Sequence, residues 1–371
     1  MGTRQTAPPP AMPAERPPLA RKAVPVTSRV HARVGLLGNP SDGFFGKTIS
    51  LSLENFYAEV TLTPQPRGRG ISFKPHAVHD RCQFSSLEDL FDRVESAGYY
   101  GGVRLLMAAC KRFYQHCQKR GRTLPAADDF VLSYDTTIPR QAGLSGSSAI
   151  ACAALNCLCS HYGVAAEEIA LPERPNLVLS VEQELGITAG LQDRVIQVYG
   201  GLVYMDFDRS TMKRDGHGLY TPLPPALLPR LWLIYADNPS DSGRVHSDVK
   251  RRWAEGDPEV REKMELVAAC AEEGKEALIS GDWVRLAQLM DRNFDLRREM
   301  FGDAALGELN LRMVATARSV GAAAKFTGSG GAIVALCPLG EQQEELLRDV
   351  CVAEGFSIEE IKCAPPTSEQ G

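Results

Sequence analysis

The sequence predicts an α+β protein with two domains, and three observations support this prediction. The chain has 371 residues, which is long for a single hydrophobic core. Strand-like and helix-like patterns of apolar residues occur in both halves, in an order that favours antiparallel or mixed sheets covered by helices. A stretch rich in glycine, proline and charged residues, 208–230, separates the halves. We therefore expect a tail at 1–28 and domains at 29–215 and 216–371.

The first half contains short runs typical of strands and longer runs with apolar residues at helical spacing. The predicted strands are Arg33–Leu37, Thr48–Leu53, Ala58–Thr63, Phe130–Ile138 and Gly201–Phe207. The predicted helices are Leu87–Ser96, Gly102–Gln118, Ser147–His161, Asn176–Leu185 and Leu191–Tyr199.

The second half contains the same two kinds of pattern, with a glycine-rich loop between its second and third strands. The predicted strands are Leu231–Ala236, Ala322–Phe326, Ala332–Leu336 and Phe356–Lys362. We expect three or four helices between Val245 and Val320, and one more at Glu341–Glu354.

Composition argues against several classes of protein. Hydrophobic residues make up 44% and charged residues 23%, and the net charge of −5 gives no bulk attraction to nucleic acid or anionic membranes. No stretch approaches 18 uninterrupted apolar residues, so no membrane-spanning helix is predicted. The ten cysteines form no CxxC pair, which favours buried reduced thiols over a zinc or redox site. We expect a cytoplasmic protein.

Residues 1–28 differ from the rest of the chain. They are rich in proline and alanine, and basic residues outnumber acids. Such a segment buries too little apolar surface to fold, so we predict disorder. An organelle transit peptide is the alternative because acids are scarce, although the prolines are too frequent for an amphipathic helix.

The strongest functional signal is the segment 138–149, Ile-Pro-Arg-Gln-Ala-Gly-Leu-Ser-Gly-Ser-Ser-Ala, between a predicted strand and an apolar helix. Its small residues let the backbone approach an anion, and free amides at a helix start attract phosphate. The segment is neither a Walker A loop nor a GxGxxG fingerprint. The alternative is a tight turn with a serine as helix N-cap.

Two further glycine-containing segments follow predicted strands. The segment 325–332, Lys-Phe-Thr-Gly-Ser-Gly-Gly-Ala, permits close backbone approach, although a β-hairpin turn is the alternative. The segment 33–46 delivers Asn39, Ser41 and Asp42 to a turn, where they could hydrogen-bond a hydroxylated ligand. An ordinary Asn-Pro-Ser-Asp turn is the alternative there.

Two acids, Glu182 and Asp193, lie in a polar stretch that leads into a predicted helix. One acid could hold Mg²⁺ while a second accepts a hydroxyl proton during phosphoryl transfer. Taken alone, both residues would be read as solvated helix charges.

The three glycine-containing segments occur in the order of motifs one, two and three of the GHMP kinases, the superfamily of galactokinase, homoserine kinase, mevalonate kinase and phosphomevalonate kinase. The resemblance spans about residues 30–363. It implies an N-terminal ribosomal-protein-S5-domain-2-like domain and a C-terminal ferredoxin-like domain. Within the superfamily the sequence is most similar to the plant-type glucuronokinases, because the resemblance extends beyond the shared motifs. The additional matching segments are Leu37–Asp42, Ala189–Arg194, Asn238–Gly243 and Arg297–Asp303.

The resemblance implies an ATP-dependent kinase that converts D-glucuronate to D-glucuronate 1-phosphate and feeds UDP-glucuronate synthesis. Its ligands would be ATP, Mg²⁺ and D-glucuronate, and the protein would be a monomer or homodimer. Kinases for galactose or galacturonate, and a non-catalytic sugar sensor of the same fold, are the alternatives. Asp193 and Arg33 argue against the sensor, because both residues that carry the chemistry are present.

The resemblance also implies roles for individual residues. Asp193 matches the catalytic base and Arg33 the basic residue that lowers its pKa and faces the phosphate. Glu182 matches the metal-binding acid, with Glu184 as an alternative. The remaining implied sites are, for ATP, Pro139, Arg140, Gln141, Ala142, Gly143, Leu144, Ser145, Gly146, Ser147, Ser148 and Ala149; for substrate, Asn39, Asp42, Asp193, Gly328, Ser329 and Gly330; and for metal, Ser147 or Ser148 with Glu182.

Two departures from the family pattern affect these assignments. Gly146 adds one residue to motif two, so counting from Pro139 selects Ser147 as the metal ligand, whereas counting back from Ala149 selects Ser148. Asn39 stands where galactokinases carry an acid, which suits an acidic sugar because two close carboxylates repel. Candidates for binding the substrate carboxylate are Arg140, Arg194 and Arg244, and a surface salt bridge is the alternative for each.

Overall fold

A computed structural model of the chain describes residues 24–97, 101–125, 129–165, 168–187, 189–236 and 246–367. Most of the predicted disordered tail, residues 1–23, lies outside this part of the chain, as do the candidate Arg244 and the matching segment Asn238–Gly243. Within the described residues, no helix has both the length and the apolar character needed to cross a membrane.

A six-stranded sheet forms the first half of the molecule. Its strands are β1 Val26–Leu37, β2 Lys47–Pro64, β3 Ile71–Phe73, β4 Phe130–Thr136, β5 Leu202–Asp206 and β6 Leu219–Leu223. The 18-residue β2 holds the sheet together, because its first half pairs with β5, its second half with β4, and residues 49–53 and 57–62 with β1. All pairs are antiparallel except β3 with β4.

Helices cover this sheet, and the central one carries motif two at its start. They are α1 Leu87–Ala97, α2 Gly102–Lys119, α3 Gly146–His161, α4 Arg174–Glu184, α5 Gln192–Tyr199 and α6 Arg209–Asp215. Helix α3 is buried along most of its length because its alanines, cysteines and leucines are apolar on every side. It packs on β1 and β2 and between the neighbouring helices α2, α4 and α5.

The second sheet has four antiparallel strands in the order β10-β7-β9-β8. They are β7 Trp232–Tyr235, β8 Ala323–Phe326, β9 Ala332–Leu336 and β10 Ser357–Glu360. The accompanying helices are α7 His246–Glu255, α8 Pro258–Ser280, α9 Trp283–Phe301, α10 Asp303–Leu306, α11 Glu308–Ser319 and α12 Glu341–Ala353. A buried apolar cluster joins this sheet to α9, α11 and α12.

The two sheets meet at the end of β1, and the chain crosses between them twice. The amide of Gly35 on β1 donates to Thr327 O after β8 at 2.9 Å. After β10 the chain returns to the first sheet, where Cys363 bridges to Leu53 and Pro366 to Gly200. The junction therefore brings motifs one and three side by side.

The α+β class is confirmed, and the predicted elements correspond to observed ones with a few differences. The two strands predicted at Thr48–Leu53 and Ala58–Thr63 are one continuous strand, β2. The stretch 208–230 contains α6 and β6, and β6 pairs with β5. The first sheet therefore extends past residue 215, and the domain boundary there stays a prediction.

Candidate active site

The centre of the site is an ion pair between Arg33 on β1 and Asp193 in the first turn of α5. Arg33 Nε donates to Asp193 Oδ1 at 2.6 Å and Nη2 to Oδ2 at 2.9 Å, a bidentate geometry. The Ser145 hydroxyl also donates to this carboxylate. Since β1, α5 and α3, which begins just after Ser145, pack against one another, the carboxylate is held in a single orientation.

The pKa of Asp193 is lowered to about 2 although burial on its own would raise it. The guanidinium charges of Arg33 and Arg194, followed by hydrogen bonds from Arg33 and Ser145, outweigh burial. Asp193 is therefore ionised at neutral pH, and a hydroxyl group placed against it would meet an acceptor.

The motif-two loop leads from Pro139 into α3, and three of its residues adopt the left-handed backbone conformation. Gln141, Gly143 and Ser145 have φ values of 57°, 62° and 64°. Arg33 Nη1 donates to Gly143 O at 2.5 Å, and Gln197 Nε2 donates to Ser145 O at 2.9 Å. These bonds fix the loop at the helix start, where amides without intrahelical partners form an anion site.

Glu182 on α4 is fully buried and lies beside the two serines of motif two. Ser147 Oγ donates to Oε1 at 2.7 Å, and Ser148 Oγ donates to Oε2 at 3.0 Å. Arg194 Nε donates to Oε2 at 2.7 Å. The alternative acid, Glu184, is exposed and paired with Lys111, away from the serines.

The carboxylate and two hydroxyls near α3 suit a hard divalent cation. Mg²⁺ prefers oxygen ligands and commonly takes one or two carboxylates together with substrate phosphates. Glu182, Ser147 and Ser148 supply such oxygens at the start of α3, where the phosphate-binding amides lie. The donor set therefore fits Mg²⁺ bound with a nucleotide.

Motif one contributes Asn39 and Asp42, which face different neighbours. Asn39 is 4% exposed, and its Oδ1 accepts from Lys325 Nζ at 2.5 Å. Asp42 Oδ2 accepts from the amide of Gln192 at 3.1 Å. Burial and the nearby charge of Asp193 raise the pKa of Asp42 to about 6. Two adjacent carboxyl groups thus differ widely in acidity, because Arg33 binds both oxygens of Asp193, whereas burial and the charge of Asp193 dominate at Asp42.

Motif three packs against motif two through backbone contacts that only glycine permits. A Cβ atom on Gly143 would lie 2.3 Å from Gly330 O, and one on Gly331 would lie 2.3 Å from Gln141 O. The amide of Gly331 donates to Asn310 Oδ1 at 2.8 Å, which ties the loop to α11. The three motifs predicted from the sequence therefore meet at one place.

The structure also places at the site three polar residues to which the sequence analysis assigned no role, although each lies in a segment that it quoted. Lys325 is fully buried and bridges motif one and motif three. Gln192 precedes Asp193 and is 3% exposed. Arg297 on α9 is 2% exposed and contacts the motif-three loop. A signal for Arg297 was its position between Phe294 and Phe301, on the apolar side of the helix.

The carboxylate-binding candidates have different surroundings. Arg194 is buried and holds Glu182, and its Nη1 donates to Gly190 O at 3.0 Å. Arg140 is half-buried at the start of the motif-two loop, in the electric field of Arg93, Tyr134 and Asp80. Arg194 is thus a structural partner of the proposed metal-binding acid.

Comparison with known families identifies the class of protein that this fold and site define. The model for the GHMP kinases N terminal domain matches residues 104–201, and the model for the GHMP kinases C terminal domain matches residues 275–353. The chain belongs to the GHMP kinases. It is therefore a phosphotransferase that uses an alcohol group as acceptor and ATP as donor.

Within this family the chain is similar to two curated relatives from Arabidopsis thaliana. It is 55% identical to Glucuronokinase 1 over 92% of both chains, and 55% identical to Probable glucuronokinase 2 over 91% of both chains. A mevalonate kinase of Methanothermobacter thermautotrophicus is 28% identical over 64% of this chain and 71% of its own.

Solved structures of other kinases share the fold. The mevalonate kinase of L. major in complex with R-mevalonate superimposes with a TM-score of 0.66 at 20% identity, covering 94% of this chain and 99% of the other. The galactokinase of Lactococcus lactis complexed with galactose gives a TM-score of 0.67 at 14% identity, covering 92% and 95%.

Proposed function

We propose that this chain is a sugar 1-kinase that transfers the γ-phosphoryl group of ATP to the anomeric hydroxyl of D-glucuronate. The product is D-glucuronate 1-phosphate. The observation that carries the proposal is the Arg33–Asp193 pair beside the start of α3. The 55% identity to Glucuronokinase 1 supports glucuronate as the acceptor.

Asp193 is proposed to bind the C1 hydroxyl and to accept its proton as the new O–P bond forms. Its low pKa keeps it ionised, so it is a weak but well-oriented base. In a loose phosphoryl-transfer transition state the nucleophile needs little prior deprotonation, so orientation contributes more than basicity. Arg33 then places a positive charge beside the transferred group and stabilises its negative oxygens.

The phosphates of ATP are proposed to bind the amides of the motif-two loop at the start of α3. This assignment covers residues 139–149. Glu182 with Ser147 and Ser148 would hold Mg²⁺, which when bound neutralises phosphate charge. Ser147 makes the shorter bond to Glu182, at 2.7 Å, and is our first choice as the metal-binding serine.

The substrate is proposed to lie between motif one and motif three, with Asp42, Gly328, Ser329 and Gly330 around it. Asn39 is uncharged, and its carbonyl oxygen is bound by Lys325. An acid at this position would repel a uronate in a poorly hydrated site. The neutral Asn39 therefore supports an acidic sugar over galactose.

We also propose that the protein works in the cytoplasm, as a monomer or homodimer. All ten cysteines lie in the described residues and none forms a disulfide. Free thiols, most of them buried, suit a reducing compartment.

The function is tested by measuring ATP consumption with Mg²⁺ across D-glucuronate, D-galacturonate, D-galactose and D-glucose. We expect turnover with glucuronate at a kcat/KM well above that for the other sugars, and a product that carries phosphate on C1. Turnover of galactose without turnover of glucuronate would refute the assignment. Sugar and ATP binding without any turnover would favour a sensor.

A further inference from the structure

Arg297 on α9 is a buried arginine whose hydrogen-bonding capacity is only partly used. Nη1 donates to Gly328 O at 2.7 Å, and Nη2 makes a long contact of 3.5 Å with Ser329 O. Nε is buried and has no hydrogen-bond partner within the part of the chain that the structure describes. The Nε–Nη2 edge of the guanidinium, which matches the two oxygens of a carboxylate, is therefore only partly satisfied by the protein.

The charge of Arg297 also lacks an acidic partner. No carboxylate of the described residues lies within ion-pair distance, and the guanidinium lies over the rings of Phe326 and Phe301 at 5.0 and 5.4 Å. Burial, followed by the charge of Arg33, lowers the pKa of Arg297 to about 10, so it remains a cation at neutral pH. Burying a charge without a counter-charge is costly, and an anionic ligand would offset that cost.

Arg297 lies close to the reacting groups. A Cβ atom on Gly328 would lie 2.7 Å from Arg33 Nη2, and the carbonyl of the same glycine accepts from Arg297. One glycine therefore separates Arg297 from the Arg33–Asp193 pair. The segment against the guanidinium, Gly328–Gly331, has three glycines in four residues, so little side-chain bulk stands between Arg297 and the site.

The chemistry of a uronic acid requires its carboxylate to lie near the reacting hydroxyl. In the pyranose form, the hydroxyl is attached to C1 and the carboxyl group to C5, and both carbons flank the ring oxygen. With the C1 hydroxyl on Asp193, the carboxylate must lie within one sugar ring of that residue. Arg33 and Arg194 are closer, but their nitrogens are already bound to Asp193 and Glu182.

We propose that Arg297 binds the carboxylate of the sugar substrate through its Nε–Nη2 edge and so selects uronic acids over neutral sugars. The inference rests on the proposed function and adds the residue that sets substrate class. The phosphates of ATP are the competing anion, but the amides at the start of α3 already offer them a site.

The test compares D-glucuronate with D-glucuronamide, its uncharged isostere, in wild type and Arg297→Gln. Glutamine can still donate to Gly328 O, which limits disturbance of the loop. Losing a buried charged contact is expected to raise KM for glucuronate by about 30-fold or more. KM for glucuronamide and for ATP should change by less than about threefold, because neither uses this edge. Arg297→Lys should restore part of the preference for glucuronate.

Arg298→Gln is the matched control, since Arg298 is the next residue but is half-exposed and paired with Asp303. Thermal unfolding checks that each variant is folded. Equal losses with glucuronate and glucuronamide would overturn the proposal and assign Arg297 to loop positioning. A rise in KM for ATP alone would assign it to phosphate. Wild-type protein that phosphorylates another sugar but not glucuronate would refute the proposed function and this inference with it.

Discussion

Asp193 and Asp42 are neighbouring acids with opposite environments, and the difference comes from single side chains. Arg33 binds both oxygens of Asp193, whereas Asp42 accepts a backbone amide and feels the charge of Asp193. One acid is therefore held ionised and the other is held partly protonated near pH 6. The sequence identifies both residues by their positions in the motifs. The difference between their pKa values depends on contacts with residues more than 100 positions away along the chain.

Asp193→Asn is expected to lower kcat by about 10²–10⁴-fold, because the amide neither accepts the hydroxyl proton nor pairs with Arg33. The affinity for ATP should stay nearly unchanged, since the phosphates bind the loop amides. Steady-state kinetics and equilibrium nucleotide binding measure the two quantities. A residual rate is expected from the loop and Arg33. A kcat close to that of wild type would remove Asp193 from the mechanism.

Asp42→Asn is expected to stabilise the fold at neutral pH. The native pKa of Asp42 is raised from 3.8 to about 6, so between these values the folded state holds a proton that the unfolded state has lost. Stability from this group is therefore lost as pH rises through that window. The variant should gain about 1–3 kcal/mol in free energy of unfolding at pH 7.

The control for Asp42→Asn is the same comparison in acid. At about pH 3, below the unfolded value of 3.8, the carboxyl group is largely protonated in both states, so the gain should almost vanish. Urea unfolding at the two pH values gives the difference. If Asp42→Asn gains the same free energy of unfolding at both pH values, ionisation of Asp42 does not cause the effect.

The site depends on two loops that touch through backbone atoms. Gly143 of motif two and Gly330 of motif three approach so closely that no side chain fits between them. Both have positive φ values, 62° and 137°. The glycines visible in the sequence are therefore required for contact between the loops as well as for a turn within each.

Gly143→Ala tests this contact, with Gly121→Ala as its control. The two glycines have similar φ values, 62° for Gly143 and 65° for Gly121, but no atom lies within 4 Å of a Cβ placed on Gly121. The left-handed conformation should cost each variant about 1 kcal/mol of unfolding free energy. Gly143→Ala should lose about 1–3 kcal/mol more through overpacking, and its ATP affinity should fall.

Urea unfolding and nucleotide titration give the two results. If both alanine variants lose the same stability and bind ATP alike, the close contact between the loops does not matter to the site.

The elements that the sequence predicted best are those whose pattern reflects local burial. Helix α3 is apolar on all sides and was placed within one residue of its observed start. The pattern predicts two strands in place of β2 because Glu54 and its neighbours interrupt the alternation, and β1 pairs with β2 on both sides of this interruption while residues 54–56 bulge out of the register. Strand β3 has three residues and depends on parallel pairing with β4, so no local pattern reveals it.

The site residues that the sequence missed are defined by tertiary contacts. Arg297 and Lys325 become notable only because they are buried without acids beside them in the described structure. Sequence periodicity shows which face of a helix is apolar, but it does not show which loop that face covers. Comparison with the family motifs identifies the residues that the family shares. The structure is needed to identify the residues at the junction between the two sheets.

Lys325 joins the two sheets of the molecule. Its ammonium group donates to Gly35 O at 2.8 Å, to Asn39 Oδ1 at 2.5 Å and to Phe326 O at 2.8 Å. Burial, then the charges of Arg297 and Arg33, lowers the pKa of Lys325 well below its usual value. The folded state therefore binds this proton more weakly than the unfolded state does.

Lys325→Met is expected to change the pH dependence of stability. Because the native pKa is lowered, wild-type stability rises with pH until the unfolded lysine also loses its proton, near 10.5. The variant lacks this term. The stability of wild type relative to Lys325→Met should therefore increase as the pH rises towards 10.5, by at most about 1.4 kcal/mol per pH unit.

Chemical unfolding at several pH values measures this difference, with Lys119→Met, at an exposed position on α2, as the control. If the free energy of unfolding varies with pH in the same way for wild type and Lys325→Met, the surroundings of Lys325 do not destabilise its ammonium group.

The return of the chain to the first sheet after β10 has a consequence for the order of events during synthesis. Ala364 donates to Ser52 O at 2.9 Å and Thr367 Oγ1 to Val198 O at 2.9 Å, so the earliest strands are completed by some of the latest residues. A ribosome releases the chain from its N-terminus, and domains usually fold in that order. Here the first sheet receives these contacts only after residues 364–367 have left the exit tunnel. We expect the nascent first half of the chain to bind chaperones until those residues have emerged.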